Sequence, residues 1–126
     1  MTKAAAIYQF FASFGLDAYE ENSVYSLEGA PDFPYLTYEV KTGFFSDSDA
    51  SISASLWYRS NSWAAANAKV EEISAEIGRS GKVVPVDGGY LLFMRGSPFA
   101  QNMSDPSDSM VKRKYMNLTV RFYTSN

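Results

Sequence analysis

The end of the chain constrains the fold most. From Lys112 to Thr124, Met116, Leu118, Val120 and Phe122 alternate with Asn117, Thr119, Arg121 and Tyr123. A period of two sends one set to each face of an extended strand, so this segment predicts a long strand with one face on a core. Such a strand needs neighbours on a sheet. Two further segments alternate in the same way. In Tyr35–Thr42, Leu36, Tyr38 and Val40 oppose Thr37, Glu39 and Lys41; in Ser51–Arg59, Ile52, Ala54, Leu56 and Tyr58 oppose Ser51, Ser53, Ser55 and Trp57. These two are predicted to form an antiparallel hairpin. A second hairpin is predicted where Lys82–Val86 and Tyr90–Arg95 flank the turn signal Asp87-Gly88-Gly89.

Two segments carry helical periodicity instead. Thr2 is a suitable N-cap, Ile7, Phe10, Phe11 and Phe14 fall on one helix face, and Gly15 follows as a stop. Gln9 and Ser13 interrupt this apolar run, which favours a folded helix over a cleaved leader. The second helix is predicted over Ser62–Ile77, with Trp63, Ala66, Val70, Ile73 and Ile77 towards the core and Gly78 ending it. A short strand near Ala18–Tyr19 is an option within the acidic connection Asp17–Asp32. Segments 43–50 and 96–109 are polar and aperiodic, and both are expected to be loops. The expected fold is therefore α+β: a single, mostly antiparallel sheet of four to five strands with two helices on one face, in the order α-β-β-α-β-β-β. Residues 1–126 are expected to form a single domain.

Several chemistries lack their residues. With no His and no Cys, the common zinc sites, the Ser-His-Asp triad and the Cys-His pair cannot be built. No disulfide can form, so the fold rests on packing. Asp47-Ser48-Asp49-Ala50-Ser51 opens like a calcium loop, but Ile52 and Tyr58 occupy the positions that need Gly and a bidentate Glu. A solvated hairpin tip is the better reading. Glu72 and Glu76 lie one helical turn apart and read as exposed helix charges, and no glycine spacing matches a phosphate loop. No enzyme activity, metal or cofactor is expected.

Charge and aromatic residues point to surfaces instead. Residues 17–49 hold eight acids and one base, and residues 110–126 hold four bases and no acid. That split either attracts neighbouring copies or is satisfied inside one chain. Trp57 shares the Ser face of its strand, where it serves either as a cover for its polar neighbours or as an interface anchor. Lys112-Arg113-Lys114 beside Tyr115 allows a second class of function, a small nucleic-acid-binding module.

The segments Phe33-Pro-Tyr-Leu-Thr-Tyr-Glu-Val40, Ser55-Leu-Trp-Tyr-Arg-Ser60, Gly78-Arg-Ser-Gly-Lys82 and Arg95-Gly-Ser-Pro-Phe-Ala-Gln-Asn102 resemble a known family. They are similar to the small tail-terminator or minor structural proteins of long-tailed bacteriophages and prophages of Gram-positive bacteria. The resemblance spans nearly the whole chain and carries no catalytic signature. It implies a sheet backed by two helices and a homohexameric ring at the head-proximal end of the virion tail, assembled in the host cytoplasm. Such a ring caps the tail tube, stops its elongation and meets the head's neck proteins, while DNA passes through the lumen without specific binding. A neck, head–tail joining or tail-completion role is the alternative. The interface residues expected on this basis are Trp57; Phe44, Phe45, Asp47 and Asp49 in the first loop; Phe99, Gln101 and Asn102 in the second; and Lys112, Arg113 and Lys114.

Overall fold

The computed structural model describes residues 1–24, 29–42 and 49–126. Among these, three helices and six strands follow one another as α1 (Lys3–Ala12), β1 (Asp17–Glu20), α2 (Glu21–Val24), β2 (Tyr35–Lys41), β3 (Ala50–Arg59), α3 (Ala64–Ile77), β4 (Lys82–Val86), β5 (Gly89–Asp105) and β6 (Asp108–Thr124). The strands form one sheet in the order β1-β2-β3-β6-β5-β4. β1 runs parallel to β2, and every other pairing is antiparallel.

Alternation sets the sheet's two faces. Leu36 pairs with Leu56, Ala54 with Met116 and Ile52 with Leu118, and all six side chains are buried. α1 and α3 lie over this face. Thr2 caps α1, its Oγ1 accepting the Ala5 N–H at 3.1 Å, so the first turn loses one orphan donor. α1 then delivers its aromatic stripe to the sheet. Phe10 stacks on Phe93 with centroids 4.2 Å apart, and Phe11 stacks on Tyr38 at 4.7 Å. Phe11 is fully buried, worth about 1.5–3 kcal/mol from area alone. α3 contributes Ala66, Ile73 and Ile77, and Lys69 joins the two helices by donating from Nζ to the Phe14 carbonyl at 2.7 Å.

The α+β class holds, with four differences of detail. The sheet has six strands, because Asp17–Glu20 pairs with β2. A third, four-residue helix (α2) follows it. The β1–β2 pairing is parallel, so the sheet is mixed. The largest difference concerns residues 96–109, which are predominantly strand. β5 continues to Asp105, turns through Pro106-Ser107 and returns as β6 from Asp108. Ser107 closes the turn by donating its N–H to Asp105 Oδ1 at 2.8 Å. Sequence alternation conceals the extended strand because a bulge separates the pairs Arg95–Leu118 and Ala100–Met116. Four residues on β5 there oppose one on β6, and the core-side positions switch from odd to even numbers. The phase of the pattern is lost at the point where it would have been read.

The predicted Asp87-Gly88-Gly89 hairpin is present. Gly89 sits where an added Cβ would lie 1.9 Å from the Tyr123 carbonyl oxygen, so glycine is required by that close approach. Trp63 differs from its expected core position: it is half-buried at the start of α3, with Lys112 and Lys114 Nζ at 5.8 and 5.4 Å from its ring centre.

Candidate assembly surface

The sheet face away from α1 and α3 holds the richest cluster of polar and aromatic contacts. Tyr35 on β2 pairs across the sheet with Trp57 on β3, which in turn pairs with Arg113 on β6. Their side chains stack in that order. The Tyr35 and Trp57 rings are 5.9 Å apart and nearly parallel, and the Arg113 guanidinium lies 4.6 Å from the Trp57 centre. Trp57 Nε1 donates to Thr37 Oγ1 at 2.9 Å, and Arg113 Nε donates to Ser55 Oγ at 3.0 Å. The ladder thus covers Thr37 and Ser55, the two buried polar residues of the sheet, and satisfies both hydroxyls. Within its own chain Trp57 thus shields its polar neighbours. Tyr35 titrates above the usual phenol range because it is buried, with Arg113 opposing the shift.

Three acids of the charge split lie on or next to β1. Asp17 and Glu20 belong to β1 and Glu21 opens α2. Glu20 accepts hydrogen bonds from the Asn22 N–H and Nδ2 at 2.9 and 3.1 Å. Burial first, and then hydrogen bonding to and repulsion from Glu39, raise the Glu21 carboxyl above its ordinary value. Part of the split is neutralised inside the chain: Arg121 grips Asp49 with Nε at 2.6 Å and Nη2 at 3.1 Å. This pairing holds the Asp49 carboxyl below the usual range.

The other candidate residues are dispersed. Strand alternation splits Lys112-Arg113-Lys114, so Arg113 joins the Trp57 ladder while Lys112 and Lys114 face Trp63 on the opposite side. Phe99 is half-buried in the β5 bulge and packs against the core. Gln101 and Asn102 are exposed on β5, opposite Tyr115 and Lys114. Phe44, Phe45 and Asp47 lie outside the described residues.

Sequence reasoning missed a second basic site. Arg79 and Arg95 line a recess of about 490 Å³ together with Ser74, Ser80 and Phe99. Arg95 donates to Ser74 Oγ at 2.9 Å. The arginines are sixteen positions apart in sequence, so no run of charge signals them. Beneath α1, Lys3, Ile7, Glu20, Tyr38 and Phe122 line a mainly apolar recess of about 280 Å³ with a single acid. Among the described residues, no three His, Cys, Asp or Glu side chains converge as metal ligands, and no helix is long and apolar enough to cross a membrane.

This fold has a solved counterpart. It matches a chain in the structure described as the virion of a native gene transfer agent particle, with a TM-score of 0.60 and 18% identity over 95% of this chain and 93% of that one. No protein-family model matches the sequence, and neither does any curated protein. The shared feature is the fold, aligned along most of both chains.

Proposed function

We propose that this chain is a virion structural protein of phage type, a non-enzymatic subunit that forms a ring on the tail tube, stops its elongation and joins tail to head. The observation that carries this reading is the fold match, at a TM-score of 0.60, with a chain from a gene transfer agent virion. The composition supports it, since the His and Cys of the usual nucleophilic triads are absent while charged and aromatic residues are plentiful. A closed ring needs a heterologous contact between unlike patches, and the acidic β1 end and the separate basic sites supply unlike patches. The partners on this reading are further copies of the chain, the tube protein and the neck proteins. A ring of six copies would place DNA in its lumen without base-specific contacts. A neck or tail-completion role shares this architecture and differs in what the ring binds.

The test is placement. The purified chain is expected to form closed rings by electron microscopy and to bind one end of tubes assembled from the tube protein, limiting their length. Rings that bind neck protein and ignore tubes would move the assignment to the neck. A chain that remains monomeric with either partner, and instead binds single-stranded DNA with a steep salt dependence, would replace it with the nucleic-acid module.

A further inference from the structure

The sheet ends in two unlike edges. At one end, among the described residues, β1 pairs only with β2. At the other, β4 covers β5 from Gly89 to Phe93 and goes no further. Beyond Phe93, β5 runs on to Asp105 with β6 on one side and no strand on the other among the described residues. A row of backbone donors and acceptors without a neighbouring strand is a template for another strand. β4 protects its own edge with Pro85, but from Ala100 to Ser104 the β5 register is regular and contains no proline.

β1 is acidic, whereas the β5 edge is basic near Arg95 and ends in Asp105. Asp17, Glu20 and Glu21 mark β1 and its exit. Arg79 and Arg95 flank the exposed β5 edge, and among the described residues neither forms an ion pair. The faces also agree. Glu20 pairs with Tyr38 and Arg95 with Leu118, both on the helix side of the sheet. Following the pairings through the sheet, β5 runs opposite to β1. A neighbour's β1 would therefore meet β5 as an antiparallel strand, with the helices of both copies on the same side.

We propose that the β1 edge of one copy adds to the exposed β5 edge of a second copy, with the acids around Glu20 answering Arg79 and Arg95. This rests on the ring reading above and specifies its junction. Joining β1 to β1 would set acid against acid, and joining β5 to β5 would set base against base. The contact is therefore head-to-tail and leads to a ring rather than a two-fold dimer. It also moves the basic partner of the acidic segment away from Lys112–Lys114.

The experiment uses two variants of the full chain, Arg79→Glu/Arg95→Glu and Asp17→Lys/Glu20→Lys/Glu21→Lys. Each alone has like charge at both edges, and each is expected to weaken association by roughly a hundredfold while retaining its circular dichroism spectrum. Mixed in equal amounts they can alternate, acid edge against basic edge, and light scattering should show the oligomer restored. Hydrogen exchange on the unmodified chain gives an independent readout: amides of β1 and of Ala100–Asp105 should be protected in the assembly and exchange faster in the diluted monomer. If the unmodified chain assembles and both variants assemble equally well, or mixing restores nothing, the junction is wrong and the ring reading stands. If the unmodified chain never assembles, with or without tube protein, the ring reading falls and takes the junction with it.

Discussion

Replacing Trp57 tests how far the outer face of the sheet stabilises the protomer by itself. Three contacts of the indole with described residues set the magnitude. Its hydrogen bond to Thr37 Oγ1, at 2.9 Å, contributes about 1 kcal/mol. Its stack on Tyr35, with centroids 5.9 Å apart, contributes about 1 kcal/mol. The Arg113 guanidinium 4.6 Å from the ring centre adds about 0.5–1 kcal/mol. Trp57→Ala should therefore cost about 3 kcal/mol, or about 10 °C in Tm for a chain of this length. Trp57→Phe should keep much of the stacking, lose the hydrogen bond and cost about 1 kcal/mol. The assay is urea unfolding followed by circular dichroism, at a concentration where the chain is monomeric. A Trp57→Ala loss below about 1 kcal/mol, accompanied by failure to assemble, would refute the assignment of Trp57 as an intramolecular cover and make it an interface anchor.

Three further outcomes follow from the geometry. Phe10→Ala removes the ring stacked on Phe93 at 4.2 Å and should cost about 3–5 kcal/mol in the same urea assay. Gly89→Ala drives a Cβ into the Tyr123 carbonyl and should destabilise by at least about 2 kcal/mol; Gly15→Ala, also at positive φ but with nothing within 4 Å, should cost only about 1 kcal/mol. Glu21→Gln should stabilise the chain at neutral pH. The folded Glu21 pKa lies above the ordinary 4.5 because of burial and Glu39, so the unfolded chain releases this proton first as pH rises. Stability falls between the two pKa values and the penalty persists above them. The variant's advantage in urea should therefore disappear well below pH 4.5, where both states are protonated; an advantage unchanged at acid pH would point to a different cause.

The elements legible in the sequence were those whose pattern survives in a short window. β2, β3 and the second half of β6 each present an unbroken alternation against a single core face. The stripe Ile7, Phe10, Phe11 and Phe14 fixes α1 for the same reason. The second half of β5 was illegible for two physical causes. The bulge at 96–99 inverts the phase of its alternation. Beyond it, Asn102 and Ser104 face Lys114 and Lys112 rather than an apolar core, so no hydrophobic signal remains to be read. Asn117 and Gly96 show that the bulge is built: Asn117 Nδ2 donates to the Pro98 carbonyl at 3.2 Å, and a Cβ on Gly96 would approach the Asn117 carbonyl oxygen to 2.6 Å. The four-residue β1 was only marginally visible because Asp17–Glu20 is at the lower limit of length over which alternation can be read.

Charge behaved differently from hydrophobicity, and the reason lies in the sheet order. A run of charge in sequence stays together in space on a helix turn or a loop, but a strand sends consecutive residues to opposite faces. Lys112-Arg113-Lys114 was divided in this way, with its middle member committed to Trp57 and Ser55. Conversely, Arg79 and Arg95 converge because one leaves α3 as the other sits on β5 beneath it, a proximity created by tertiary structure. Placing β6 between β3 and β5 leaves Asp17, Glu20 and Glu21 at one end of the sheet and this arginine pair towards the other. The acidic end is legible as a run in the sequence, whereas the arginine pair is assembled only by the topology. A surface that recognises its own opposite edge can be specified with few charges, provided the topology puts those charges at the edges.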